Sequence, residues 1–465
     1  MVVSDLLQRF MRESPVTAMA RAVLEHAFPD QVLDRMFQRT AQRQYEDKLL
    51  FSTVVKVLSV VVTRGRKSVR DAYLAEAAQA QATLQALYVK LQNTEGAVVS
   101  GLVRESFVRL EPAMRKLKAV RPPLFPGCCA KILDGAHLAG TEHRLRETRS
   151  LHSSPLPGQA LVMLQPDQRL IAQVFPCEDA HAQERSLLDS VLTTVEEGDL
   201  LIADRNFCTT NFLFGLVRRG ASFLIRQHAS TLWGKELLGK RRRVGRGERG
   251  VVYEQTMRIT DPLTGEQLLV RRITIVLDRP TEDGDREIHL LTTLSKRFGA
   301  VRIAAAYLER WRIENAFQEI EQALRGEINT LGYPKAALLA FGIALVIYNV
   351  LAVVKGALQL QHGEAAAFEK LSGYSLASEI AAVYAGMMIA IPADQWSALF
   401  AAGRVQPLVK FLLDAAAYVN PTRFVKSQRG PKKPPPKRTG GLREKHVSTQ
   451  RILLARRSAR LATTL

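Results

Sequence analysis

"DLLIADRNFCTTNFLFGLVRRGASFLIRQ", residues 199–227, reads as strand, helix, strand. The opening run from Leu200 to Ala203 is apolar at every position, consistent with a buried strand. "TNFLFGLVRRG" (210–220) is a helix closed by Gly220, and "ASFLIRQ" (221–227) is the next strand. Upstream, "AKILDGAHL" (130–138), "QALVMLQP" (159–166) and "RLIAQVFP" (169–176) read as three strands, the last two joined by a short turn at Asp167. "DAHAQERSLLDSVLTTV" (179–195) reads as a helix ended by "EEGD". The order βββαβαβ predicts a mixed α/β sheet with helices packed on it.

Residues 1–125 are patterned as helices, with breaks near Pro15, Pro29 and "TRGRKSVRD" (63–71). Arg39, Arg43, Lys48, Arg64, Arg66, Lys67 and Arg70 make this stretch basic. That suits either a module that binds a duplex or an ordinary bundle with a solvated face. "RPPLFPG" (121–127) breaks the helical pattern, and residues 126–230 and 297–372 form the two parts of an α/β core. Between them, 231–296 holds a Gly- and Arg-rich loop, "GKRRRVGRGERG" (239–250), then three strand-like runs, predicting a small antiparallel insertion. "AALLAFGIALVIYNVLAVV" (336–354) is long enough to span a membrane. It carries Tyr348 and Asn349, follows a charged helix and stands alone, so a buried core helix is expected. Residues 373–421 are helical, and from Thr422 onward 13 Lys or Arg face one acid, Glu444, predicting a disordered basic tail.

The 465 residues include 47% hydrophobic ones, enough for a sizeable core, and carry a formal charge of +20. That balance points to a polyanionic partner, nucleic acid before an anionic membrane. The four cysteines form no CxxC pair, which fits a reduced compartment and argues against structural zinc. Asp5, Gln8 and Arg9 interrupt the start of the chain where a signal peptide needs an apolar run.

"YLERWRIENAFQEIEQALRGE" (307–327) is expected to be one amphipathic helix with Ile313, Phe317, Ile320 and Leu324 on its buried face. Tyr307, Arg310, Glu314 and Glu321 fall on a second stripe roughly 60° wide at helical spacing. Two further acids follow apolar runs: Asp134 after Ile132 and Leu133, and Asp204 after Leu200 to Ala203. Each alone suits a turn or capping acid. Three carboxylates brought together supply the hard oxygen ligands that metal-dependent phosphodiester chemistry needs.

With these residues in view, the chain resembles the DDE transposases of bacterial insertion sequences, in the insertion sequence four family. That group's helix reads Y-x2-R-x3-E-x6-K; here Tyr307, Arg310 and Glu314 match, and Glu321 stands where lysine is expected. "LDGAH" (133–137), "IADRNF" (202–207) and "RWRIENAF" (310–317) also look like the family, and the resemblance covers roughly 125–360. It implies a ribonuclease-H-like catalytic core with a β-rich insertion, flanked by helical regions. It implies Asp134, Asp204 and Glu314 as catalytic ligands of two Mg²⁺ or Mn²⁺ ions. It implies that Tyr307 and Arg310 hold the DNA backbone near the cleaved end, beside a flipped base.

Trp233, and after it Phe207, are candidates to stack on that base, against a reading of both as packing residues. Arg325, one turn beyond Glu321, is expected to replace the missing lysine charge. Arg205 would contact DNA, steady the carboxylates or form an ordinary salt bridge. Arg241, Arg242 and Arg243 would touch phosphates. His137, His152 and His181 lack metal-ligand spacing and read as structural or surface residues.

The resulting expectation is a transposase that cuts and joins double-stranded DNA at terminal inverted repeats. It would act as a homodimer, with no membrane partner, in the nucleoid-associated cytoplasm of a bacterium. A domesticated DNA-binding descendant and a related metal nuclease are the alternatives, the first made credible by Glu321.

Overall fold

The computed structural model describes residues 4–44, 48–76, 82–138, 145–150, 155–228, 232, 234–281, 284–427 and 447–463. The chain opens with helices α1 (Asp5–Glu13), α2 (Pro15–Ala27), α3 (Asp30–Thr40), α4 (Phe51–Val62), α5 (Val69–Glu76), α6 (Leu84–Asn93) and α7 (Gly96–Lys116). Then come β1 (Cys129–His137), β2 (Pro155–Leu156), β3 (Gln159–Gln165), β4 (Leu170–Cys177), α8 (Leu188–Leu192), β5 (Asp199–Ala203), α9 (Thr210–Arg218) and β6 (Ser222–Arg226). The strands β7 (Lys235–Gly247), β8 (Gly250–Thr260), β9 (Gln267–Leu277) and β10 (Glu287–Thr292) follow. After them lie α10 (Ala300–Tyr307), α11 (Trp311–Ala323), α12 (Pro334–His362), α13 (Gly373–Ala390), α14 (Ala393–Phe400) and α15 (Val405–Ala416), with β11 (Val447–Ser448) and α16 (Thr449–Thr463) last.

One nine-stranded sheet runs β4-β3-β1-β5-β6-β10-β9-β8-β7. β1 pairs antiparallel with β3 and parallel with β5, and β5 pairs parallel with β6. This mixed sheet, covered by helices, is consistent with the ribonuclease-H-like fold that the resemblance implies. Successive strand residues pack in different layers. Ile132, Leu200, Ile202 and Leu224 join the core that contains α7 and α12, while Leu133, Leu201, Ala203, Phe223 and Ile225 pack with α8 and α9. A sheet covered on both faces therefore reads as unbroken apolar runs.

Several elements depart from the sequence expectation. The stretch 239–250 is not a loop: β7 and β8 form a long ribbon turning at Glu248 and Arg249. The glycines that suggested a loop are the bulge residues, Gly239 and Gly245 with φ of +67° and +153°, where the register shifts. The supposed insertion is also continuous with the core, because β10 pairs with β6. The helix expected over 179–195 shrinks to a 3-10 turn at Glu184–Leu187 and the short α8. The helix expected over 307–327 is broken: α10 ends at Tyr307, a 3-10 turn spans Leu308–Arg310, and α11 ends at Ala323. The basic end of the chain is not wholly a disordered tail, since β11 pairs with β2 and α16 follows it. Residues 428–446 lie outside the described residues.

α12 is apolar on all sides and buried over nearly its whole length. Its neighbours include α7, α2, α4, α6, α15 and β4. β4 is the outermost strand at its end of the sheet, and α12 caps it with an amide. Asn349, fully buried, accepts from the Ile171 N–H at 2.8 Å and donates to the Ile171 carbonyl and the Ser106 hydroxyl at 2.9 Å each. A polar residue in an apolar helix is tolerated because each of these bonds is made. Replacing Asn349 with Leu removes all three and leaves strand backbone groups unpaired. The expected loss is about 2–5 kcal/mol of stability in denaturant unfolding; a change within about 0.5 kcal/mol would show that the amide does not hold the edge.

Candidate active site

Leu133, Ala203 and Ile225 are aligned across the parallel strands β1, β5 and β6. The residues that follow them are Asp134 on β1, Arg226 on β6, and Asp204, which directly follows the end of β5. Because strand side chains alternate, Asp134 and Arg226 turn away from the α8–α9 layer toward the face on which α10 and α11 pack, and Asp204 shares the field of Asp134 and Tyr307. The strand register thus sets two carboxylates and a guanidinium in one row.

The 3-10 turn at Leu308–Arg310 and helix α11 supply the facing side. Arg310 Nη1 lies 3.1 Å from Asp134 Oδ2, and Arg310 Nη2 lies 2.6 Å from Glu314 Oε1. One guanidinium therefore bridges the first strand acid and the helix acid. Asp134 Oδ1 also accepts from the Gly135 N–H at 2.9 Å. Arg310 is largely buried, its side chain 13% exposed, whereas Glu314 reaches solvent at 44%.

Burial pushes the Asp134 carboxyl up to about 6. Arg310 and the Gly135 N–H oppose that shift, and Glu314 and Asp204 reinforce it, so all three acids share one field. Tyr307, also buried, has its phenol pushed up by burial and then by Asp204, against Arg310 and Arg226. Burial works against the Arg310 charge, but Tyr307, Asp134 and Glu314 hold it, for a net upward shift. Among the described residues, no three His, Cys, Asp or Glu side chains already form a group that could hold a metal ion. The Arg310 guanidinium lies between two of the acids, Asp134 and Glu314.

The remaining residues singled out in the sequence are more dispersed. Glu321 is exposed on α11. Arg325 lies past the helix end, so it does not continue the stripe. Its Nη1 donates to the carbonyls of Arg66 and Lys67, at 3.3 and 2.9 Å, and its N–H to that of Val62 at 2.8 Å. These bonds dock the α4–α5 turn on the end of α11. From that turn Arg64 donates to the Gln322 carbonyl at 3.0 Å. Arg205 stands 3.9 Å from Asp285, which also holds Arg226 at 2.5 Å. Arg241 pairs with Glu287 at 3.0 Å and stacks on Tyr253, Arg242 reaches Glu254 at 3.7 Å, and Arg243 is exposed on the same strand. Phe207 is 1% exposed inside the α8–α9 core, which removes it as a platform for a base. Trp233 and His152 lie outside the described residues, and His137 and His181 are exposed.

Two features escaped the sequence reading. Arg226 follows an apolar run just as Asp134 and Asp204 do, and that shared pattern was the available signal. Arg249, at the tip of the β7–β8 ribbon, lies 4.4 Å from the ring centre of the half-exposed Trp311, next to Arg310. No local pattern announces that contact, which depends on the length of the ribbon.

The raised Asp134 titration carries a stability consequence. Its charged form is disfavoured in the folded protein, so wild type bears a penalty that is fully present above about pH 6 and vanishes below the ordinary carboxylate value of 3.8. Asp134→Asn removes the titration. In chelator, its melting temperature relative to wild type is expected to rise as pH increases from 4 to 6 and then level off. A pH-independent difference would contradict the placement of Asp134.

A family model for the transposase DDE domain matches residues 160–350. The matched stretch takes in Asp204 and Glu314 and begins after Asp134. No curated protein matches the chain. The match supports a DDE transposase, a class of enzyme that acts on DNA and generally depends on divalent metal.

Proposed function

We propose that this protein is a cut-and-paste DNA transposase of the insertion sequence four group, with Asp134, Asp204 and Glu314 as its catalytic carboxylates. One observation carries the reading: Asp134 and Asp204 each directly follow the paired residues Leu133 and Ala203 of adjacent parallel strands, and a third acid reaches the first through a shared guanidinium. The donor set suits Mg²⁺ or Mn²⁺, since all three acids offer hard oxygens and two of them, Asp134 and Glu314, already face a cation, that of Arg310. Asp134, Asp204 and Glu314 would hold two such ions, which when bound supply an activated water and neutralise charge on the leaving oxygen.

The chain's own groups do the positioning. Tyr307 and Arg310 present a hydroxyl and a fork to phosphate beside the carboxylates. Hydrolysis at a terminal inverted repeat breaks the bond from phosphorus to the 3′ oxygen and frees a 3′-hydroxyl. That hydroxyl attacks the opposite strand, giving a hairpin, and after hairpin opening attacks target DNA. The N-terminal helices read the repeat. The ribbon carrying Arg241, Arg242 and Arg243 and the basic end of the chain add contacts that weaken steeply with salt. Two protomers meet through the helices of 373–421 to bring two ends together in the nucleoid of a bacterial cell. Glu321 is a tolerated variation in this reading.

The test is cleavage of labelled linear DNA carrying the terminal repeat, with Mg²⁺ or Mn²⁺, beside Asp204→Ala. Cutting at the repeat boundary is expected, reduced at least about a hundredfold in the variant. Specific binding with no metal-dependent cutting would overturn the catalytic assignment in favour of a repurposed DNA-binding protein.

A further inference from the structure

Resting on the catalytic reading above, we propose that Arg310 is a resident counter-cation: it keeps the carboxylates from taking up metal until DNA phosphate draws it away. The two forks of its guanidinium are committed, at 3.1 Å to Asp134 and 2.6 Å to Glu314. Both are oxygens a divalent ion would need. The guanidinium cannot shed its charge. A divalent ion arriving beside it meets a fixed positive charge in a half-buried site, where repulsion is weakly screened.

The partners of Arg310 are not equivalent. Its planar fork fits a phosphate as well as a carboxylate. A divalent ion, in contrast, needs the carboxylate oxygens as its protein anchor here, whatever phosphate oxygens it adds. Phosphate at the site therefore releases carboxylate oxygens, and metal on the carboxylates releases the guanidinium for phosphate. Linkage makes the effect reciprocal: metal and DNA each tighten the binding of the other. The local geometry suits a group that changes partners. Arg310 sits in the 3-10 turn between α10 and α11, not within a regular helix, and its Nε is buried without a hydrogen-bond partner. Arg226, in the same row, does not compete for this role because Asp285 holds it at 2.5 Å. The consequence is an enzyme that carries little metal when off DNA and so does not hydrolyse at random.

The experiment measures Mn²⁺ binding by electron paramagnetic resonance on the full chain, with and without a short blunt DNA duplex at fixed salt. Wild type, Arg310→Gln, Arg310→Lys and Asp204→Asn are compared, and melting curves confirm that each is folded. Without DNA, Arg310→Gln is expected to bind Mn²⁺ about tenfold or more tighter than wild type. Arg310→Lys, which keeps the charge and loses the fork, is expected to fall between them. Adding the duplex is expected to tighten Mn²⁺ binding by wild type several-fold. Wild type binding Mn²⁺ as tightly as Arg310→Gln without DNA, at a site that Asp204→Asn removes, would overturn the proposal and leave the catalytic reading standing. Absence of any Mn²⁺ site dependent on Asp204, even with duplex, would overturn both.

Discussion

The structure depends on the burial of α12. A helix of 29 residues that is apolar on every side cannot rest against one surface; it must be enclosed. The N-terminal helices α2, α4, α6 and α7, the later helix α15 and the edge strand β4 enclose it together. The helical segments are therefore not appendages of the α/β core, because they share its hydrophobic interior. Helix α11, which carries Glu314, is tied to the same pillar: buried Lys355 of α12 pairs with Glu319 of α11. A buried lysine that lost this partner would leave an uncompensated charge, so the pairing strongly constrains where α11 lies. Glu319 and Glu314 lie on the same helix, so the pairing anchors the element that carries both.

The sheet imposes the second constraint. Lys131 of β1 and Asp199 of β5 form a buried ion pair at 2.6 Å, and Asp199 also accepts from the Glu196 N–H at 2.8 Å. A one-residue slip between these strands would separate that pair and turn Asp134 to the opposite face. The ion pair at the start of the two strands thus supports the register that sets Asp134 beside Asp204 at their far ends.

Much of this was legible in the sequence because the relevant signals are local. β1, β5 and β6 announced themselves as apolar runs, and the acids that follow two of them stood out as charges where burial is costly. What was not legible depends on partners distant in the chain. β7 is rich in Gly and Arg and becomes a strand because β8 offers a long ladder; acids from β8, β10 and the turn after β9 then meet its arginines. The stripe through Tyr307, Arg310 and Glu314 was drawn on one unbroken helix; the 3-10 turn at 308–310 divides that helix, yet Arg310 still pairs with Glu314. Arg325 was placed by helical extrapolation past a helix that ends at Ala323, and its guanidinium went to backbone carbonyls of the α4–α5 turn. The bridge between Asp134 and Glu314 joins residues 180 positions apart, which no periodicity reveals.

In the proposed reaction, Asp134, Asp204 and Glu314 jointly bind metal when a DNA end occupies the site. The most direct measurement is anomalous X-ray scattering from crystals of the protein bound to a cleaved DNA end and Mn²⁺. Anomalous density is expected between Asp134 and Asp204, with Glu314 ligating and Arg310 turned onto a phosphate. A DNA end seated in the site, with Mn²⁺ elsewhere and Arg310 still bridging Asp134 and Glu314, would contradict it.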